Sequence, residues 1–401
     1  MMQRRASGFS LVELLISVVI GAIALLAMVQ TLGLQDANRR AVVGGNDTAQ
    51  VGAYSLYLFD DLARSAASNV QQGGIAEGIT TLSVGTPTSY GCELRGTLPS
   101  GGSFGALALA APFDTLPVGG TMRLSPVLLQ QTAGSNSHRL ALLRGSVSVL
   151  GTTIVVSAES APGVLEVPST LGLRAGEWLL GVESSGLFGR PCTIARIADA
   201  PDVRTLANRD NSLLVRLASG TTFGWTVGEE PGTLSSLGPA PQFDLYAVDD
   251  TSRRLMALDL FQAALTPRVV AENVVVLRGM YGIDDGAAGG SVDPDGIVDR
   301  WVLPTDDYAY ESLTDGSGQA ADRIRRIAAV RLGLVLRQPM RQGQDSSATP
   351  TASLFGGLPG VTAEDYTVTD TLYRARAIEF TLHLRSAALA GSTLPLMKAI
   401  R

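Results

Sequence analysis

From Leu14 to Leu34 the chain runs for 21 residues without an Asp, Glu, Lys or Arg. A bilayer core takes about 20 predominantly apolar residues as a helix, so this run can span one. A carboxylate, Glu13, stands at its leading edge. A charge well inside a membrane costs roughly 2.5–3.5 kcal/mol even on insertion scales, so an acid on such a helix is a functional candidate that needs a partner. Arg4 and Arg5 precede the run, and basic flanks stay on the cytoplasmic side. Everything after Leu34 is therefore expected outside the cytoplasm.

The rest of the composition narrows what that exported part does. The formal net charge is −6 over 401 residues, which leaves no electrostatic footprint for nucleic acid or anionic lipid. Of 31 basic residues only Lys398 is a lysine. A Schiff base or a P-loop needs a placed lysine, so both are excluded in practice. His138 and His383, the two histidines, lack spaced partners for a triad or a histidine-rich metal site. With 45 glycines and 5% aromatic residues, the chain reads as a loop-rich β domain and not as a saccharide cleft lined with rings.

Helical spacing continues past the apolar run. Val51, Tyr54, Leu58 and Leu62 fall three and four apart, which predicts a packed stripe. Asp60, Asp61 and Arg64 lie off it, and Gly44-Gly45 is expected to loosen or bend the helix. From about Asn69 the pattern turns to short β-branched runs with Gly, Pro, Ser and Thr between them. These include Ser146–Leu150, Thr152–Ser157, and Phe243–Val248 with Arg254–Leu260 around a hairpin turn at 249–253. Asn273–Ile283 is apolar on both faces, as a central strand should be. Val330, Leu332, Leu334 and Leu336 alternate with Arg331 and Arg337. Ile378, Phe380, Leu382 and Leu384 alternate with Glu379, Thr381, His383 and Arg385. Each set predicts one buried and one polar face. Gln338–Asp365, rich in Gln, Gly, Ser, Thr and Pro, reads as a long exposed loop.

The block Arg4-Arg5-Ala6-Ser7-Gly8-Phe9-Ser10-Leu11-Val12-Glu13 resembles the class III leader of type IV pilins and type II secretion pseudopilins. An ordinary secretory signal is cut after its apolar region; this leader is cut before it, so the helix stays on the mature protein. The resemblance implies cleavage by a membrane prepilin peptidase between Gly8 and Phe9, N-methylation of Phe9, and Glu13 as the fifth mature residue. It further implies that Glu13 pairs with the terminal amine of an adjacent subunit, since two charges cost far less in lipid when paired. The tip-most minor subunit of these complexes typically lacks that acid. Ala53–Asn69, Gly91-Cys92, Trp178–Cys192, Gly238–Asp249, Asn273–Asp299 and the strands ending in Leu336-Arg337 and Leu384-Arg385 follow, in order, the segments of PilW-type minor pilins. Leu94–Val149 and Ser157–Arg174 match no such segment.

Cys92 and Cys192 are the only cysteines, both on the exported side, where oxidising conditions favour pairing. Family members carry cysteines in similar surroundings; two buried free thiols are the alternative. Asp284, Asp285, Asp293, Asp295 and Asp299 place five carboxylates in 16 residues. Calcium takes six to eight oxygens from such flexible acidic loops, which makes Asp293, Asp295 and Asp299 candidate ligands. No glutamate closes the loop and the EF-hand spacing fails, so a solvated hairpin with an Asp-Gly turn is the competing reading. Arg323, Arg325, Arg326 and Arg331 form the densest basic cluster, read as a strand edge kept soluble by charge.

The expected architecture is α+β and pilin-like. Residues 1–8 form a leader, 9–68 a long helix with its transmembrane part at about 11–34, and 69–401 a β-rich periplasmic domain with long loop insertions. The resemblance implies a non-enzymatic minor pilin, anchored once in the inner membrane, that helps initiate type IV pilus assembly and enters the fibre at or near its tip. Its partners would be the prepilin peptidase, other minor pilins, the major pilin and the inner-membrane assembly platform. No cofactor is expected beyond the possible calcium. A minor pseudopilin of a type II secretion system and a pilin-anchored adhesin are the rival readings.

Overall fold

The computed structural model describes residues 10–66, 70, 90–116, 121–131, 134–146, 153–170, 172–182, 191–198, 213–218, 223, 232–286, 295–339, 351–367 and 373–384. An N-terminal apolar helix precedes a β-rich domain, an α+β, pilin-like arrangement. Helix α1 (Leu11–Ser65) has 55 residues, about 80 Å at about 1.5 Å per residue. Its first half is exposed on every side, with Leu11 at 79% and Leu32 at 65%.

The second half of α1 packs on the domain through part of the expected stripe. Leu62 is buried and Val51 and Leu58 are half-buried against the core, together with a row of smaller residues. Gly44, Thr48, Gly52, Ser55, Phe59, Leu62 and Ala63 are buried, while Tyr54 is exposed. The buried face is rotated from the one the large side chains mark, because the sheet comes closest where the helix is smallest. A Cβ on Gly52 would lie 2.2 Å from Ile378 Cδ1, and one on Gly44 would lie 3.3 Å from Gln338 Oε1. Gly44-Gly45 does not interrupt the helix, which runs unbroken through both. Gly44 is a contact point.

Two sheets form the main core with α1. One is antiparallel, in the order β13-β12-β11-β3-β2: β2 (Val127–Gln131), β3 (His138–Arg144), β11 (Gln242–Asp249), β12 (Arg254–Asp259) and β13 (Arg268–Glu272). The expected hairpin is β11–β12, whose turn has Arg253 at φ +53° and Asp249 Oδ1 accepting from the Thr251 N–H at 2.9 Å. The other sheet runs β15-β14-β16-β19: β14 (Val274–Ile283), β15 (Arg300–Val302), β16 (Ile327–Arg337) and β19 (Ala375–His383). As expected, β14 is central and buried on both faces. A register shift between Val274 and Val276 moves Val274 onto the face of Leu277 and Tyr281, since one extra residue flips the alternation.

The described part of the run Gln338–Asp365 is not simply an exposed loop. It holds a hairpin, β17 (Thr351–Leu354) and β18 (Glu364–Thr367). Ala352, Leu354, Phe355 and Tyr366 are buried with Val276, Met280 and Val335 on the outer face of the β14–β16 sheet. That sheet therefore has two apolar faces, and Gly333 is where Leu354 sits down: a Cβ there would meet Leu354 Cδ2 at 2.9 Å. Arg331, on the expected polar side, is held by Glu379 at 2.8 Å.

A further sheet, β1-β8-β7-β10-β4, consists of β1 (Leu94–Arg95), β4 (Thr153–Val155), β7 (Trp178–Val182), β8 (Cys192–Arg196) and β10 (Thr233–Gly238). Leu180 and Ile194 face the main core, while their neighbours Leu179 and Ala195 face a second core. Three strands cover that second core: β5 (Ala158–Ala161), β6 (Val164–Val167) and β9 (Leu213–Arg216). The region 157–174, which resembles no pilin segment, thus supplies part of a small sandwich. The expected strand at 146–150 lies mostly outside the described residues.

Candidate functional site: the N-terminal helix and its docking face

Glu13 lies in the first turn of α1 and is exposed. Ser10 holds the N-cap position, and its carbonyl accepts from the Glu13 N–H at 3.0 Å. Gly8 and Phe9 lie outside the described residues. Farther along, the Ser17 and Thr31 hydroxyls donate to the carbonyls of Leu14 and Ala27, which satisfies polar groups on a helix with no water to bond in lipid. Between Leu11 and Leu34, Glu13 is the only Asp, Glu, Lys or Arg. Chemically it offers one thing, a carboxylate for a cation from another molecule.

The other end of α1 is locked by rings and one arginine. Phe59 packs against Tyr246 of β11 at 5.0 Å between ring centroids and against Phe380 of β19 at 5.8 Å. Arg144 of β3 reaches the Ser65 hydroxyl at 3.4 Å and the Asp61 carboxylate at 3.6 Å, and Ala66 bridges to Arg144 through the backbone. The helix and the sheets below it are therefore one packed unit. Sequence reasoning missed these contacts, although a signal was present: Gly44, Thr48, Gly52 and Ser55 recur at helical spacing as a row of small residues.

Cys92 and Cys192 are joined by a disulfide, with Cα atoms 5.6 Å apart and a sequence separation of 100. It ties the start of β8 to the segment before β1, where Leu94 pairs in parallel with Cys192. In the chain-entropy account a loop of that length is worth about 4–5 kcal/mol, often less in practice.

The acidic loop turns its carboxylates onto its own backbone. Asp284, 1% exposed, accepts from the N–H groups of Gly286, Asp295 and Gly296 at 3.0, 3.1 and 2.5 Å. Asp299 accepts from the Asp285 N–H at 2.8 Å, Asp295 from the Ile297 N–H at 2.9 Å, and Asp285 pairs with Arg300. Asp293 lies outside the described residues. Among the described residues no group of three or more His, Cys, Asp or Glu side chains could hold a metal ion. Asp295 and Asp299 thus each accept from a backbone N–H.

The arginine cluster is not a strand edge. Arg323 and Arg325 lie on the short helix α3 (Gly318–Arg325) and Arg326 caps it. Arg323 pairs with Asp307, Arg325 and Arg326 with Asp322, and Arg331 of β16 with Glu379. His383 is exposed, as expected. His138 is fully buried, with Nε2 2.6 Å from an Arg278 nitrogen and Nδ1 accepting from the Gly279 N–H. Burial first, and then the Arg278 charge, push its pKa down to about 3, so it is a neutral core residue.

Two surface grooves lie on the domain. One, of about 420 Å³, lies among Pro112, Asp114, Arg139, Asp249 and Asp250. The other, of about 460 Å³, lies beside β15 among Arg300, Trp301, Asp306, Asp307 and Val361. Arg139 pairs with Asp114, Arg300 with Asp285, and Asp307 with Arg323.

Residues 245–386 match the family described as type IV pilus-assembly protein W, and residues 3–29 match the prokaryotic N-terminal methylation motif. No curated protein and no solved structure matches the chain. The first of these family matches begins within β11 and takes in the hairpin β11–β12 and the whole β14–β16 sheet. Ala53–Asn69, Gly91-Cys92 and Trp178–Cys192 lie outside both matches.

Proposed function

We propose that this chain, similar to PilW proteins in its domain and to prepilins at its N-terminus, helps initiate type IV pilus assembly and is incorporated at or near the pilus tip. The two matches support a membrane-anchored type IV pilus minor pilin, of a structural kind, processed by prepilin peptidase. On this proposal residues 1–8 are removed and Phe9 is methylated. Residues 9–68 anchor in the inner membrane by a single pass, and 69–401 form the periplasmic domain.

The observation that carries this reading is the division of α1. One half is exposed and apolar with a lone carboxylate at its head, and the other is packed into the domain. Such a helix leaves one membrane for another apolar environment, a bundle of like helices, without disturbing the domain. In that bundle the Phe9 amine of a neighbour meets Glu13. Other minor pilins and the major pilin supply the helices, and the assembly platform supplies the work.

The test has two parts. Mass spectrometry of the mature protein should show an N-terminus at methylated Phe9, and Gly8 with a larger side chain should abolish cleavage. Glu13→Leu protein should be made, inserted and cleaved, yet fall at least tenfold in sheared fibres, with Glu13→Asp in between. Wild-type incorporation of Glu13→Leu would end the pairing role. Recovery of the chain with a secretion machine and not with pili would favour the pseudopilin reading. For calcium at Asp293, Asp295 and Asp299, a thermal shift growing with free calcium is the supporting result, and its absence at millimolar calcium removes the metal.

A further inference from the structure

Asp244 of β11 and Asp259 of β12 stand directly opposite each other in the antiparallel register. Both are buried, at 2% and 8% exposure. Side chains directly opposite on a sheet lie about 4.5–5.5 Å apart at Cβ, and like charges there repel. The two acids are unequal. Asp259 Oδ1 accepts from the N–H groups of Phe243 and Phe261 at 3.1 and 3.0 Å, and such donors favour the ionised form. Asp244 has no such bond among the described residues, and its recorded ion pair is with Arg268 of β13, at the outer limit of 4.0 Å.

The pair lies on the face of the sheet that receives α1. Two residues on from Asp244 along β11 is Tyr246, the ring that packs on Phe59. The charged and titratable groups facing the pair are Arg144 of β3, Arg268 of β13 and Tyr246 of β11, with Asp61 of α1 on the far side of Arg144. Arg144 thus lies between this site and the end of the helix.

We propose that Asp244 and Asp259 hold a single proton between them, on Asp244, and that this proton makes the joint between α1 and its docking sheet a pH-sensitive element that tightens in acid. Ionising both acids puts two negative charges against one another out of water, within the strands that carry Tyr246. Arg144 is then drawn toward the pair and away from Asp61 and Ser65. With the proton in place one negative charge remains, held by two backbone donors, and Arg144 is free to hold the helix end. This inference is independent of the pilus reading, because it concerns only how the chain's own helix is held.

Burial first, and then Asp259 opposite, push the Asp244 pKa up to about 6, and burial also raises Asp259. A folded pKa above the unfolded one means that the folded state binds the proton more tightly. The stabilisation is fully present below the usual carboxylate pKa near 3.8 and is lost as pH rises through about 6. That window is acidic, and at neutral pH the stabilisation is already lost.

The test compares full-length protein in detergent with Asp244→Asn, a neutral near-isostere, and with Asp259→Asn, at pH 5 and pH 8. Other carboxylates change stability with pH as well, so the difference between variant and wild type is what counts. At pH 8 the midpoint of Asp244→Asn should lie several degrees above wild type, and at pH 5 the gap should fall to roughly half of that, since the unfolded carboxyl is still largely ionised there. In the Asp259→Asn background the pH 8 gap should shrink to less than half. Hydrogen exchange of the Phe59–Ala66 segment, corrected for intrinsic rates, should be several-fold faster in wild type than in Asp244→Asn at pH 8, with a smaller ratio at pH 5. A gap that does not vary with pH, or an Asp244→Asn protein less stable at both values, overturns the shared proton. A pH-dependent midpoint with unchanged exchange in Phe59–Ala66 overturns the link to the helix.

Discussion

The two halves of α1 obey opposite rules. Between Leu11 and Leu32 the helix presents large apolar side chains all round and buries none of them. Between Gly44 and Ala63 it buries a row of mostly small residues and leaves Tyr54, Leu56 and Tyr57 exposed at 53%, 42% and 74%. In the first half bulk serves an apolar solvent, and packing density has no say. In the second half the sheet must approach closely, so dispersion contacts at short range decide which face turns inward. The same helix therefore cannot be read by one hydrophobicity rule along its length.

The largest expected effect comes from the one buried ring in the packed half. Phe59→Ala should destabilise the domain by about 3–5 kcal/mol, seen in a denaturant midpoint. Leu25→Ala, in the exposed half, should leave that midpoint where it is. Equal effects would break the division between the halves.

Next comes the small-residue row. Gly52→Leu should cost about 1–3 kcal/mol from overpacking against Ile378, whose Cδ1 a Cβ at 52 would meet at 2.2 Å. Gly21→Leu has nothing within 4 Å of its Cβ and should leave domain stability unaltered. Because Ile378 Cδ1 is the tip of a flexible side chain, Gly52→Ala should cost well under half of the Gly52→Leu value. That ordering, measured in the same denaturant series, sharpens the claim that close approach is the constraint.

The smallest effect is expected at Tyr54, which helical spacing places on the packed stripe and the structure places in solvent. Tyr54→Ala should change stability by less than about 0.5 kcal/mol. A loss above about 2 kcal/mol would restore the stripe of large residues and remove the contrast.

Much of the fold was legible beforehand where a local pattern matches a local environment. The β11–β12 hairpin and the alternation of β19 follow period two, a property of the strand itself, and β14 is apolar on both faces. Strand β16, expected to keep one polar face, also buries Val335 on that face. The run 338–365 was misread because polar, Gly- and Pro-rich composition says nothing about Leu354, Phe355 and Tyr366 landing on one sheet face. The arginine cluster was misplaced for a related reason: charge marks solvent but not whether helix or strand carries it. At the candidate site, Glu13 was legible because a carboxylate against an apolar run is anomalous in any fold.

What the sequence by itself determined is the membrane-length helix, its single acid, the prepilin-like leader and the run of strands after it. Those depend on composition and spacing between near neighbours, and lipid or a pleat reads them one residue at a time. Only the tertiary structure decided which face of α1 docks and that Gly44 is a contact. It also brought Cys92 to Cys192 across 100 residues and set Asp244 against Asp259. Each of those depends on the distance between residues far apart in the chain, and long-range distance is fixed by how whole elements pack, which no local periodicity encodes.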